Sequence, residues 1–183
     1  GDNLAVASSS DFGFGTGNFT LEFWTFVKTT SNTPYWIDGR STSTANEAVP
    51  TLYINGGNYE YWVNGSARIS GGTVPVNEWV HVAIVKNSGT TTLYSNGISV
   101  GTFSDSITYA SCPLVIGQRK DTAGQSLDGY ITNLRIVKGT AVYTSAFTPS
   151  TTPLTAITNT SLLTCQSNRF VDNSSNAHSI TVT

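Results

Sequence analysis

The feature that most constrains the fold is a repeated pattern of short runs in which apolar and polar residues alternate. About eleven such runs follow one another, separated by turn residues at roughly eight- to twelve-residue intervals. No long stretch has helical periodicity, and no internal repeat is visible. The pattern predicts an all-β protein folded as an antiparallel jelly-roll β-sandwich.

Two runs define the expected core. Phe19–Lys28 carries aromatic residues on both of its alternating faces, which predicts a central strand covered on both sides. In the second run, Tyr130, Leu134 and Ile136 share one parity and are expected to face the core. The loop that precedes this run, Arg119–Gln125, is expected to lie at the surface.

Composition excludes several classes of partner. Charged residues make up 11% of the chain and the formal net charge is −2, without a basic stripe, which argues against binding to duplex nucleic acid. No apolar run is long enough to span a bilayer, so membrane insertion is not expected. The two cysteines, Cys112 and Cys165, are interpreted as free thiols, with a single disulfide as the alternative.

The sequence lacks the usual signatures of catalysis. Glycoside hydrolysis requires two carboxyl groups across the scissile bond, whereas Glu22, Glu60 and Glu78 each stand alone on their strands. Gly97–Gly101 matches G-x-S-x-G, but it follows an Asn-Gly turn and no helix comes next, so the match is a chance one. His81 lies in a continuous apolar run and is interpreted as a packing residue. We therefore predict a protein that is not an enzyme.

The order of four motifs resembles that of a known family. The motifs are FTLEFW (Phe19–Trp24), NEWVHVAIVKNSGTTTLYSNG (Asn77–Gly97), PLVIGQ (Pro113–Gln118) and LDGYITNLRIVKGTAVYTSAFTP (Leu127–Pro149). Together they resemble the laminin G-like group of the concanavalin A-like lectin/glucanase superfamily. The resemblance covers nearly the whole chain and implies one laminin G-like β-sandwich domain over residues 1–183.

The end of the chain resembles a narrower group. RIVKGTAVYTSAFTP (Arg135–Pro149) and SLLTCQSNRFVDNSSNAHSITV (Ser161–Val182) are similar to repeated modules in structural proteins of tailed bacteriophages, including cyanophages. Such modules begin with a strand ahead of GD-x-L, and here that motif is at Gly1–Leu4. The resemblance implies that the first strand is missing and that the chain is part of a longer protein. It leaves undecided which strand pairs with the last strand, Ser179–Thr183.

The resemblance also implies a calcium ion at one rim of the sandwich. Calcium prefers hard oxygen ligands, and Asp38 and Asp121 lie in turns or loops where they could provide them. The alternative is that each aspartate caps its own turn through its side chain.

Carbohydrate recognition needs a flat aromatic ring with polar groups beside it. Tyr35, Tyr59 and Tyr61 are expected to be exposed and to contact a ligand, with Arg119 and Asp121 as polar partners. The four tryptophans are instead expected in the core: Trp24, Trp36, Trp62 and Trp79.

These observations predict a non-catalytic, carbohydrate-binding module of a phage virion protein. The parent protein would be a tail fibre, adhesin or capsid appendage located on the virion, outside cells, and its ligand a host-surface glycan. One alternative is a purely structural decoration or spacer that binds other virion proteins or assembles as a homo-oligomer through an open β-edge. A polysaccharide-cleaving enzyme is a minor alternative.

Overall fold

The protein is a sandwich of two antiparallel sheets, as the alternating pattern predicts. The computed structural model describes residues 2–183, and strands are numbered in chain order. Sheet I has the order β15 (Ile180–Val182), β1 (Leu4–Ser9), β10 (Cys112–Ile116), β3 (Tyr35–Asp38), β4 (Thr51–Asn55), β5 (Asn58–Val63), β6 (Ser66–Thr73). Sheet II has the order β14 (Thr160–Thr164), β13 (Gly129–Lys138), β2 (Phe19–Val27), β7 (Trp79–Asn87), β8 (Thr90–Ser95), β9 (Ile98–Ser104).

The remaining elements are small. A hairpin of β11 (Gln118–Arg119) and β12 (Thr122–Ser126) replaces the loop expected over residues 119–125, with Asp121 at its turn in a left-handed conformation (φ 55°). A single 3-10 turn spans Ser10–Phe12, and the described part of the chain contains no helix able to cross a membrane.

Strands distant in sequence are neighbours in both sheets, which gives the jelly-roll connectivity. β1 pairs with β10, and β2 lies between β7 and β13. The last strand, β15, pairs with β1 through Leu4 and Val182, which answers the question of its partner.

The core lies between the sheets and is rich in aromatic residues. From sheet II, β2 directs Phe19, Leu21 and Phe23 inward, and each is almost completely buried. Burying a side chain of this size contributes about 1.5–3 kcal/mol. Trp36 packs against Phe23 with ring centroids 6.1 Å apart, and its indole nitrogen donates to the Thr25 hydroxyl at 3.0 Å. These contacts fix how the two sheets face each other.

The outer face of sheet II is partly covered by an irregular segment, residues 139–156, which we call the strap. Val142 N donates to the Thr20 hydroxyl at 2.9 Å, and the Trp24 indole donates to the Ser150 carbonyl at 3.1 Å. The stacked rings of Tyr143 and Phe147 lie against the sheet beside His81. The prediction that β2 is covered on both sides therefore holds for most of the strand, while Trp24 and Phe26 on its outer face remain half-buried.

A β-bulge in β13 changes which residues face the core. The register between β13 and β2 shifts between Thr132 and Arg135, where Asn133 takes a left-handed conformation (φ 53°). Side chains of a strand point alternately to its two faces, so an extra residue reverses which residues face the core beyond the bulge. Leu134 and Ile136 are buried as expected, but Tyr130 lies on the outer face and is 55% exposed, so the prediction for Tyr130 was wrong.

The two cysteines are free and buried, which fits the first of the two interpretations. Burial raises the pKa of the Cys112 thiol to about 12 and that of Cys165 to about 11. The thiolate is the reactive form, so we expect both thiols to react very slowly with a disulfide reagent at pH 8 and promptly after unfolding in guanidinium. Fast labelling of the native protein, or an intact mass that rises on reduction, would contradict the prediction.

Candidate functional site

Three aromatic side chains form a row across neighbouring strands on the outer face of sheet II. Tyr130 of β13 is paired with Phe26 of β2, and Phe26 is paired with Trp79 of β7. The Phe26 centroid lies 6.0 Å from Tyr130 and 5.8 Å from Trp79, and the two outer rings approach each other to 6.4 Å. We call these three residues the aromatic platform.

The platform is open because the strap does not cover this row: the strap residues that come nearest to it, Thr151 and Thr152, line the groove beside Trp79. Trp79 is 45% and Tyr130 55% exposed, while Phe26 lies between them and is half-buried. Within residues 2–183, neither the Trp79 indole nitrogen nor the Tyr130 hydroxyl has a hydrogen-bond partner. Exposed aromatic rings with free polar atoms are suited to contacts with both the apolar face and the hydroxyls of a ligand.

Charged groups border the platform on one side. Lys28 pairs with Asp128 at 3.5 Å, with both side chains about half exposed, and the Lys28 ammonium lies 5.1 Å from the centre of the Tyr130 ring. A surface pair of this kind contributes little to stability, so both groups can exchange partners at small cost.

A groove of about 250 Å³ borders the platform on the other side. Trp24 and Trp79 form its aromatic walls. Its remaining lining is uncharged and polar and comprises Thr132, Asn133, Thr151 and Thr152. Asn133 Oδ1 accepts from Leu154 N at 3.0 Å, which ties the end of the strap to the bulge and fixes this wall.

A buried polar cluster under the strap supports the groove. Glu22 is fully buried, and its Oε1 accepts from Arg135 Nε and Nη2 at 2.9 and 2.6 Å. Its Oε2 accepts from the Tyr143 hydroxyl at 2.7 Å and lies 3.1 Å from His81 Nε2. Burial alone would raise the pKa of Glu22, but the His81 contact, the Arg135 charge and the Tyr143 hydroxyl together lower it below its usual value. The carboxylate therefore stays ionised and joins the strap to three strands.

Two of the tyrosines predicted to contact a ligand are in the core. Tyr59 and Tyr61 are 1% and 0% exposed, since both point from β5 toward sheet II. The Tyr61 hydroxyl donates to that of Tyr109 at 3.0 Å, and the Tyr59 hydroxyl contacts Ser95 Oγ at 2.8 Å. The expectation of exposure was wrong because the residues with the opposite parity on β5, Glu60 and Trp62, form its outer face.

Tyr35 and Arg119 do come together, on the outer face of sheet I. The Arg119 guanidinium lies 5.9 Å from the Tyr35 ring centre, and Tyr35 stacks on Tyr53 with centroids 4.5 Å apart. Tyr35 is 5% exposed, so it too was wrongly expected at the surface. Arg119 Nη1 and Nη2 donate to Gln125 Oε1 and the Ser43 carbonyl, which ties the β11–β12 hairpin to a loop of sheet I.

Asp38 does not fit the role of a calcium ligand. It is fully buried, and its two oxygens accept from Arg40 Nε at 2.8 Å and Arg40 Nη2 at 2.6 Å, so a guanidinium already holds the carboxylate. A cation placed there would face the charge of Arg40.

Asp121 has no carboxylate partner for an ion either. Its exposed side chain lies 3.5 Å from Lys120 Nζ at the turn of the hairpin. Over residues 2–183 no group of three or more His, Cys, Asp or Glu side chains is placed to hold a metal ion. The residues present do not fit the calcium site that was expected.

The sequence interpretation missed all three platform residues. Trp79 was expected in the core, and its exposure follows from its position at the first residue of β7, on a part of the outer face of sheet II that the strap leaves uncovered. Of the other tryptophans, Trp36 is fully buried, whereas Trp24 and Trp62 are half-buried. The signal available was Asn133, since asparagine inside an alternating run favours the left-handed conformation of a bulge.

Comparison with known families gives the class of the protein. A laminin G family model, described as concanavalin A-like lectin/glucanases superfamily, matches residues 1–152, and the chain belongs to this superfamily. No curated protein matches the chain.

Several solved structures share the fold at low sequence identity. A Bacteroides ovatus protein proposed to bind carbohydrate superposes with a TM-score of 0.67 and 15% identity, covering 98% of this chain and 57% of that one. The heptameric SAP-like pentraxin of Limulus polyphemus superposes with a TM-score of 0.57 and 20% identity, and the match covers 76% of this chain and 71% of the pentraxin chain. The CBM40 of the Ruminococcus gnavus IT-sialidase, bound to α2,3-sialyllactose, superposes with a TM-score of 0.57 and 13% identity, and the match covers 70% of this chain and 79% of the CBM40 chain.

Proposed function

We propose that this protein is a non-catalytic carbohydrate-binding module that holds a saccharide on the aromatic platform. The observation that carries the proposal is the exposed pair of Trp79 and Tyr130 beside a groove lined by uncharged polar residues. The Bacteroides protein and the CBM40 domain, which share this fold, are described as carbohydrate binders and support the proposal.

Recognition would divide between stacking and hydrogen bonding. The apolar face of a pyranose ring would lie against Trp79 and Tyr130, since flat aromatic rings offer a large contact area at small entropic cost. Sugar hydroxyls would reach Lys28 and Asp128 at one border and Thr152 in the groove at the other. Loops and strand ends held by a rigid sandwich keep these groups in place in the free protein.

The acidic groups near the platform support a non-catalytic role. Glu22, which lies under the strap, is held by Arg135 and kept ionised, so it is not a proton donor for a glycosidic oxygen. Asp128, at the border, is paired with Lys28. Hydrolysis by two carboxyl groups needs one protonated and one ionised group across the bond, and this region of the chain offers no such arrangement within residues 2–183.

We further propose that the module belongs to a phage virion protein and attaches to a host-surface glycan. The support is the resemblance of Arg135–Pro149 and Ser161–Val182 to modules of tailed-phage structural proteins. Immunogold labelling of the parent particle would test this location, and label confined to cells rather than particles would contradict it.

A glycan array tests the proposed function. We expect the wild-type protein to bind a restricted set of glycans. The Trp79→Ala variant should lose at least about tenfold in affinity, because removing a tryptophan that the ligand covers is usually costly at an interface. Ile98→Ala is the matched control, because Ile98 is 65% exposed at the start of β9, away from the platform. Equal binding by wild type and Trp79→Ala, or no binding to any glycan, would refute the proposal.

A further inference from the structure

The sandwich has a second depression beside the platform, at the end where its two sheets separate. This cavity has a volume of about 420 Å³, within the range usual for small-molecule sites. It opens between β1 and β10 of sheet I and the start of β13 of sheet II, and we call it the end cavity.

The end cavity reaches the hydrophobic core. Leu4 and Ile116 of sheet I belong to the core and line the cavity from one side, and Ile131 of sheet II lines it from the other. Nearer the mouth, Leu127 and the half-exposed Phe170 complete an apolar wall. An apolar opening into the core would be costly to leave in contact with water, which favours an apolar occupant.

The polar groups of the end cavity restrict the charge of that occupant. Its polar lining includes Asn3, Ser167 and Asn168, which are uncharged, and Asp2 is the one charged residue among the described lining residues. A carboxylate at the mouth would repel an anionic group, and no cation is present among those residues to pair with one. An anionic occupant is therefore disfavoured, and the apolar walls favour an uncharged occupant over a cationic one, because a charge buried against them would lose its hydration.

Tyr130 connects the end cavity with the platform. Its ring is part of the platform through Phe26 and Trp79, and Tyr130 is also among the residues that line the end cavity, between Gly129 and Ile131. Because the bulge at Asn133 turns Tyr130 outward while Ile131 remains inward, consecutive residues of β13 serve the two sites.

From this continuity we infer that the end cavity receives an uncharged alkyl or aryl group carried by the saccharide that lies on the platform. The ligand class is thus an amphiphilic glycoside: a sugar with an apolar substituent. The inference rests on the proposed function for the sugar half of the ligand, while the cavity half can be measured without any sugar.

The experiment uses N-phenyl-1-naphthylamine, an uncharged fluorophore whose emission rises in apolar sites. We expect saturable binding to the wild-type protein and competition by n-octyl β-D-glucopyranoside below its micelle concentration, but not by methyl β-D-glucopyranoside. Leu127→Trp fills the end cavity and is expected to weaken fluorophore binding at least about tenfold. Phe170→Ser is a second variant that removes an exposed wall residue without touching the core.

A matched control separates cavity filling from the addition of a tryptophan. Val171→Trp adds the same ring at a residue that is 44% exposed, neighbours Phe170 and lies outside the cavity lining, so fluorophore binding should match the wild type. If Leu127→Trp and Phe170→Ser, both folded by circular dichroism, bind the fluorophore like the wild type, the inference is wrong.

Trp79→Ala distinguishes failure of the inference from failure of the proposed function. We expect this variant to bind the fluorophore normally and to need at least about threefold more octyl glucoside for competition. If its competition is unchanged although its glycan-array binding is lost, platform and cavity take separate ligands and the inference is overturned alone. If its array binding is unchanged, the proposed function fails, and the cavity result with the fluorophore still stands.

Discussion

Replacement of Glu22 by alanine is expected to lower the free energy of unfolding by about 3–5 kcal/mol. The loss follows from the position of Arg135, which is 7% exposed and donates two hydrogen bonds to Glu22. Without the carboxylate, a buried guanidinium is left uncompensated, and Tyr143 of the strap loses its acceptor. Urea denaturation followed by circular dichroism measures the change.

Two companion variants make the Glu22 result specific. Glu78→Ala removes the same side chain from an exposed position and should change stability by less than about 0.5 kcal/mol. Glu22→Ala combined with Arg135→Met removes both charges and should recover part of the loss, because the unpaired charge causes most of it. A Glu22→Ala protein as stable as the wild type would show that the cluster does not hold the strap.

The same carboxylate predicts the direction of a pH effect. A carboxyl group whose pKa is lowered by folding stabilises the native state above its unfolded pKa and loses that contribution as the pH falls through the folded pKa. For Glu22 the stabilisation is present at neutral pH and declines as the pH falls below the ordinary glutamate pKa of about 4.3. The wild type should therefore lose more stability on acidification than Glu22→Gln does.

Gly97→Ala should destabilise the protein by displacing the strap. A Cβ atom at this position would lie 1.8 Å from the Phe147 carbonyl oxygen, and the backbone has a φ of 77°. Phe147 N also donates to the Gly97 carbonyl at 3.1 Å, so the clash breaks this contact as well. We expect increased protease cleavage within residues 139–156 and a lower free energy of unfolding.

Gly89→Ala isolates the steric part of the Gly97 effect. Gly89 has a similar φ of 79°, but a Cβ atom added there would meet no other atom within 4 Å. The loss of stability in Gly89→Ala therefore measures the cost of the backbone conformation alone. Gly97→Ala should lose about 1–3 kcal/mol more than Gly89→Ala, as is usual for overpacked sites. Equal losses from the two variants would mean that the strap is not docked on the β8–β9 turn.

The strands were largely predictable because their signal is local. Period-two alternation predicted a strand over Phe19–Lys28, and β2 spans Phe19–Val27. The hairpin at Asp121 was missed, since it consists of only two short strands around a tight turn.

The faces of the strands were less predictable than their positions. On β5, Tyr59 and Tyr61 alternate with Glu60 and Trp62, and aromatic residues of either parity could have faced the core. On β13, the bulge at Asn133 inverts the alternation, which sequence parity alone does not reveal. Both errors moved the expected site away from Tyr130 and toward tyrosines that are buried.

Side-chain pairing explains the other differences at the expected site. Asp38 was expected to be a calcium ligand because it lies in a predicted turn, but Arg40 folds back and occupies both of its oxygens. Glu22, His81 and Arg135 are far apart in sequence and meet only because β2 lies between β7 and β13. No local pattern could have brought these three residues together.

The indole N–H resonances of the four tryptophans test the central claim most directly. The indole of Trp36 already donates to the Thr25 hydroxyl, and that of Trp24 donates to the Ser150 carbonyl. The ring centre of Trp62 lies 5.3 Å from the Arg40 guanidinium carbon on the outer face of sheet I. Trp79 is free on the platform. Titration with the best glycan from the array, with peaks assigned by single Trp→Phe variants, should shift the Trp79 resonance and leave Trp36 and Trp62 unchanged. A shift of Trp62 with Trp79 unchanged would place the saccharide on sheet I and contradict the account.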